Sequence, residues 1–144
     1  MANFNKPLEI YEMLEKVSAA KTRAEKITML RNYNHHALLD VMRGAFDDAV
    51  QWNLPEGKPP FQANVPESVP SSLLKQNQKF KYFVQGPLSE SLTTVKREQI
   101  FVQVLESIHP ADAEVVINMI NKKSPGKGIT KKLVQEAYPD LIRL

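Results

Sequence analysis

Residues 96–142, KREQIFVQVLESIHPADAEVVINMINKKSPGKGITKKLVQEAYPDLI, alternate between helical periodicity and firm stops. Ile100, Phe101, Val104, Leu105 and Ile108 fall on one wide apolar stripe at helical spacing. His109-Pro110 ends that helix. Pro110 suits the first position of the next, where a missing N–H leaves no bond unmade. Val115, Val116, Met119 and Ile120 supply its inner face. Lys122 to Gly128 reads as a turn, and Thr130 is placed to begin a last helix with Leu133, Val134 and Ala137 inward. Tyr138-Pro139 stops it. Three short helices in succession, without a β-alternating run, predict an all-α fold.

The same pattern extends toward the amino terminus. Pro7 fits a first helical position, and Leu8, Tyr11, Leu14 and Val17 follow at helical spacing. Thr22 and Glu25 have capping-box spacing ahead of Ile27, Met29 and Leu30. Asn34 is the expected cap of a third helix carrying Leu38, Leu39, Met42 and Phe46. The middle is different. Residues 53–72, NLPEGKPPFQANVPESVPSS, hold five of the ten prolines, which excludes a long helix or a central strand. This is a long connector or irregular arm, pinned by Trp52, Leu54 and Phe61, and an arm of that length is either functional or partly mobile. Helical pattern resumes at Leu73, Leu74, Phe80 and Phe83, breaks at Gly86-Pro87, and restarts from Ser91, Thr93 or Thr94. The expectation is one domain over residues 1–144: a compact bundle of about six to eight short helices with a proline-rich central connector.

Composition narrows the chemistry. A hydrophobic fraction of 42% and a charged fraction of 24% in 144 residues describe a globular chain able to bury a core. The absence of cysteine excludes disulfides, thiolate nucleophiles and cysteine-held zinc or iron–sulfur centres. No apolar run is long enough to span a bilayer, and the opening MANFNKPLEIYEMLEKV lacks a secretory pattern, so a cytoplasmic location is expected. His35 and His36 are adjacent and point about 100° apart on a helix, a poor metal pair, and no HxxH or HExxH spacing occurs. The carboxylate pairs Asp47/Asp48, Glu12/Glu15 and Glu106/Glu114 sit on turns or solvated faces rather than across a cleft. No catalytic site, metal or cofactor is expected.

The net charge of +3 is mild, but its distribution is not even: residues 115–135 carry Lys122, Lys123, Lys127, Lys131 and Lys132 and no acid. Phosphate attraction acts over roughly 8 Å at physiological salt, so a local cluster matters more than the total. SPGKGITKK lacks the spacing of a nucleotide-hydrolysing loop. Gly126 and Gly128 nevertheless allow close backbone approach, and Thr130 can donate to a phosphate or cap its own helix. Lys21, Arg23 and Lys26, with Arg31 and Arg43, are further candidates for phosphate contacts or, alternatively, for surface ion pairs. Asn118, Asn121 and Gln135 lie nearby in sequence. Scattered aromatics at core spacing do not form a single-strand stacking platform.

These segments resemble the small all-helical DNA-binding domain at the amino terminus of the DNA ligase of T-even-type phages. The opening LEIYEMLEKVSAAKT, RAEKITMLRNY and NHHALLDVMRGAFDDAVQW is similar to that domain's short-helix pair, leucine-rich helix and glutamine-aromatic pair, here Gln51-Trp52. The closing VVINMINKKSPGKGITKKLVQEAYPDLI resembles its helix, glycine turn, helix and aromatic-Pro-x-Leu-Ile ending. Lys123 falls where that pattern has an arginine, Gly128 matches its turn glycine, and Tyr138, Pro139, Leu141 and Ile142 match the signature. Most of residues 53–90 lies outside the resemblance, and the extra residues of the glycine turn depart from it. The adenylation motif K-x-D-G is absent, which excludes nick sealing by that route. The whole chain is also similar to small uncharacterised proteins of T-even-like phages, most clearly at KREQIFVQVLESIHP.

The resemblance implies non-enzymatic binding to double-stranded DNA, intact or nicked, through the minor groove and phosphate backbone. It suggests an accessory role in phage DNA replication, recombination or repair inside the host cell. The candidate contacts are Lys122, Lys123, Gly126, Lys127, Gly128, Thr130, Lys131, Lys132, Lys21, Arg23 and Lys26. Five neutralised phosphates correspond to a log–log salt slope of about −4.5. The alternative expectation is a module that docks on a phage or host protein, with the proline-rich arm as its surface.

Overall fold

A computed structural model describes residues 8–141; Pro7 and Ile142 lie outside that range. The described residues form eight α-helices: α1 (Ile10–Ala19), α2 (Arg23–Asn32), α3 (His36–Phe46), α4 (Leu73–Gln76), α5 (Pro87–Glu90), α6 (Thr94–Leu105), α7 (Pro110–Ile120) and α8 (Lys131–Ala137). A 3-10 helix, Asn77–Tyr82, continues α4. The all-α expectation is met, and among the described residues strand pairing is limited to one isolated bridge between Trp52 and Val84.

Side-chain caps set most helix starts. Thr22, Thr93 and Thr130 each accept from the backbone N–H three residues on, at 3.1, 3.1 and 3.2 Å. α1 opens on a capping box made by Glu9 and Glu12. Its buried stripe is Ile10, Met13, Leu14 and Val17, so Leu8 and Tyr11 lie at its edge. α3 corrects the expected cap: His35, not Asn34, starts it, with Nδ1 accepting from Ala37 N–H at 3.0 Å. His109 caps α7 identically, through Ala111 N–H at 3.0 Å. Pro87 does not merely break the chain. It opens the one-turn α5.

Two helix pairs pack most extensively, α2 against α8 and α3 against α7. Gly44, buried on α3, explains how close the second pair comes. A Cβ there would lie 2.5 Å from the Trp52 ring and 2.8 Å from Met119 Sδ. The arm that follows α3 is fastened rather than loose. Asn53 N–H donates to Phe83 O at 2.6 Å. Asn64 Nδ2 closes the end of α6 through Glu106 O and Ile108 O, at 2.7 and 2.9 Å. Gly57 and Asn121 exchange two hydrogen bonds. Trp52, Leu54 and Phe61 pack on the core as expected. A buried arginine with no acidic partner, Arg97, ties the arm's root to α5 and α6: it donates to Asn53 O, Ser89 O and Leu92 O at 2.8–3.2 Å.

Asp112, fully buried on α7, accepts from Tyr11 N–H at 2.8 Å and so caps α1 from a different helix. Its Oδ2 has no partner. Burial, with Glu9 and Glu12 nearby, raises its carboxyl to about 7, against the pull of the Tyr11 N–H. A raised acid contributes stability that is complete below its unfolded value near 4 and is lost as pH rises through about 7. Wild-type stability should therefore fall by roughly 2–4 kcal/mol from this group between about pH 4 and pH 8. Asp112→Asn keeps the acceptor for Tyr11 and should flatten that part of the profile in thermal melts across pH. Gly44→Ala should cost about 1–3 kcal/mol in urea titration, because the Trp52 ring cannot yield without losing its own bond.

Candidate nucleic-acid interface

The turn between α7 and α8 is a built structure. α7 ends in a Schellman motif: Lys123 N–H bonds to Asn118 O at 2.8 Å and Lys122 N–H to Met119 O at 3.1 Å. The left-handed position, where glycine is usual, is held by Lys122 at φ +58°. Ser124 Oγ reaches across the turn to Gly126 O at 2.6 Å and Ile129 O at 2.5 Å. Pro125 and Ile129 are buried and fix its base. Gly128 is required by its backbone, whose φ of +74° lies in the left-handed region.

The cationic residues divide into two groups. Lys122 Nζ donates to Gly44 O and Asp47 O, both at 2.8 Å, and so closes the carboxyl end of α3. Desolvation lowers its pKa, partly offset by Asp47 and Asp48. Lys131 pairs with Asp48 at 3.4 Å, and Arg23 forms a two-pronged pair with Glu136. Lys26 Nζ reaches Gly128 O at 3.4 Å. Arg31 binds Glu136 O and Ala137 O, closing α8. The Thr130 hydroxyl caps α8, and Asn121 is engaged with Gly57. Lys21, Lys123, Lys127 and Lys132 form the second group. They are exposed and make no ion pair among the described residues.

These four lysines share one end of the molecule. Ser18 Oγ, at the end of α1, lies 3.4 Å from where a Gly126 Cβ would stand, and Lys26 approaches Gly128. Lys21 lies between those two contacts in the chain. The Ser18–Gly126 contact borders a shallow hollow of about 560 Å³ that Tyr11, Glu15, Glu114 and Lys127 also line. Its carboxylates would repel a phosphate chain, although Glu114 is already paired with Lys58 at 2.8 Å.

Sequence reasoning missed Asp112, Arg97 and the role of Lys122. For Arg97 a signal existed: it falls on the face that carries Phe101 and Val104, one turn earlier. For Asp112 and Lys122 the partners are remote in sequence, and no local pattern points to them. Among the described residues no cluster of three His, Asp or Glu side chains is arranged for a metal ion. No helix among them is long and apolar enough to cross a membrane.

Fold and turn together define a small all-α bundle with a rigid, lysine-bearing corner. The chain belongs to DUF6433, a family of unknown function whose match spans residues 13–125. That span takes in Lys21, Lys122 and Lys123 and stops within the glycine turn. No curated protein matches the chain.

The division of the lysines is testable by substitution. Lys122→Met removes two charged hydrogen bonds from the end of α3 and keeps the left-handed strain, so it should cost about 1–2 kcal/mol. Lys122→Gly loses the same bonds but relieves the backbone, and should recover about 1 kcal/mol of that loss. Lys123→Met should leave the denaturation midpoint unchanged.

Proposed function

We propose that this protein is a non-catalytic binder of double-stranded DNA, with Lys21, Lys123, Lys127 and Lys132 neutralising backbone phosphates around the glycine turn. The observation that carries this reading is the set of four exposed lysines left without acidic partners beside a turn whose backbone is fixed in advance. A fixed turn limits the ordering entropy of association to the lysine side chains. Phosphate contacts of this kind position a protein without reading bases, so little sequence preference is expected. The resemblance to the phage ligase domain adds the minor groove and the nick as features to test. It also suggests an accessory role in phage DNA replication, recombination or repair, within the host cytoplasm. Lys122, Lys131, Arg23 and Lys26 are assigned to internal contacts in this reading.

A second reading has its own observation. The arm and α6 enclose a groove of about 800 Å³ lined by Leu54, Pro59, Pro60 and Phe101, with Val95 at its edge 64% exposed. An apolar groove of this kind suits a protein partner from phage or host. Capture from nuclease-treated extract, with and without Val95→Asp, tests it: a partner retained by the wild type alone supports docking.

Fluorescence anisotropy with intact duplex, nicked duplex and single strand at two salt concentrations tests the DNA reading. Binding to duplex should show a log–log salt slope of about −3.6, for four phosphates. K123E/K127E/K132E should abolish it while helicity is unchanged. A triple variant that binds as the wild type does would remove the turn from the interface.

A further inference from the structure

The groove between the arm and α6 has a charge as well as an apolar lining. Its α6 wall is Val95, Glu98, Gln99 and Val102, at positions i, i+3, i+4 and i+7. One face of the helix therefore runs along the groove for about 10 Å. The arm supplies the other wall with Leu54, Pro55, Pro59 and Pro60. Val95 is exposed at the edge, and Val102 and Leu54 are half-buried.

Glu56, Lys58 and Glu98 are the charged residues of the lining. Lys58 is committed elsewhere: its Nζ pairs with Glu114 at 2.8 Å and stands 5.6 Å from the centre of the Phe61 ring. Neither glutamate has an ion-pair partner among the described residues. The uncommitted charge of the groove is thus negative. The arm wall is also poor in donors. Pro55, Pro59 and Pro60 have no N–H, and the Gly57 N–H is bonded to Asn121 Oδ1 at 2.7 Å.

Apolar contact, unpaired negative charge and few N–H donors call for an occupant with an apolar side chain, positive charge and donors to spare. Lys and Arg side chains carry donors only. We propose that the groove docks a basic peptide segment of a partner protein. An apolar side chain of that segment packs on Val95 and the prolines, and its Lys or Arg side chains meet Glu98 and Glu56. The inference rests on the docking reading of this groove and adds the chemistry of the partner. A second copy seated groove on groove is opposed by the same charges, since two-fold pairing of one patch sets its glutamates against each other.

The full chain, immobilised, is used to select from a library of random heptapeptides, and the peptide most enriched is titrated by fluorescence anisotropy. Enriched sequences should combine Lys or Arg with an apolar residue. Val95→Ser should weaken the selected peptide at least about fivefold, through lost apolar contact. E56Q/E98Q should weaken it at least about threefold at low salt, and by less at high salt. Both variants should melt as the wild type does, because none of the three side chains is buried. K123E/K127E/K132E should bind the peptide as the wild type does, which separates the groove from the DNA interface.

A peptide lost in Val95→Ser but bound by E56Q/E98Q with wild-type affinity would overturn the basic partner and leave docking at the groove standing. Enrichment of acidic or uncharged sequences has the same consequence. No enriched peptide, or one that binds Val95→Ser as tightly as the wild type, would overturn the docking reading and this inference with it. A wild-type dimer in sedimentation that dissociates in Val95→Ser would assign the groove to a second copy, and so would also overturn the inference.

Discussion

Gly44 is the point on which the two halves of the molecule depend. Its missing side chain lets Met119 of α7 and the Trp52 ring approach the same short stretch of α3. Its carbonyl oxygen then accepts both the Trp52 indole N–H and the Lys122 ammonium. One residue thus sets the α3–α7 distance, anchors the start of the arm and receives the first lysine of the turn. The constraint comes from geometry and from helix-end chemistry together. Carbonyls in the last turn of a helix have no partner within it, and a cation there also meets the negative end of the helix dipole.

The same rule recurs around the bundle and ties up several cations of a basic sequence. Lys122 closes α3 and Arg31 closes α8. The Tyr138 hydroxyl closes α2 through Leu30 O and Tyr33 O, and burial raises its pKa. Helices this short are marginal without tertiary contacts. A remote side chain that satisfies an end carbonyl also fixes the angle at which two helices meet. Charge counted along the chain therefore overstates the charge offered to a partner.

Several features were legible because their causes are local. The caps at Thr22, Thr93 and Thr130, the stop at His109-Pro110 and the stripe on α6 depend on residues within one or two turns. The capping role of His109 was open to the same reasoning. Asn34 was the favoured cap of α3 by residue type, yet the chain begins the helix one residue later, where the His35 ring nitrogen does the same work. The arm was legible as irregular but not as fastened, because Arg97, Asn64 and Asn121 hold it from distant positions. At the candidate interface the turn itself was visible in its glycines. Which lysines project from it was not, since that depends on where Asp48 and Gly44 arrive in space.

Two groups of the unpaired cations have different surroundings. At the turn, lysines on long stems stand exposed around a fixed backbone. Such a surface suits a repeating, evenly charged polymer, and it gains affinity from counterion release rather than from shape. Between α3 and the 3-10 helix, Arg43 and Lys81 line an open cleft beside Asp40, which Asn77 Nδ2 holds at 2.7 Å. α3 belongs to both settings, because Lys122 binds its carbonyl end while His36, Asp40 and Arg43 face the cleft. A change in the seating of α3 would be felt at the turn and in the cleft together, through Gly44.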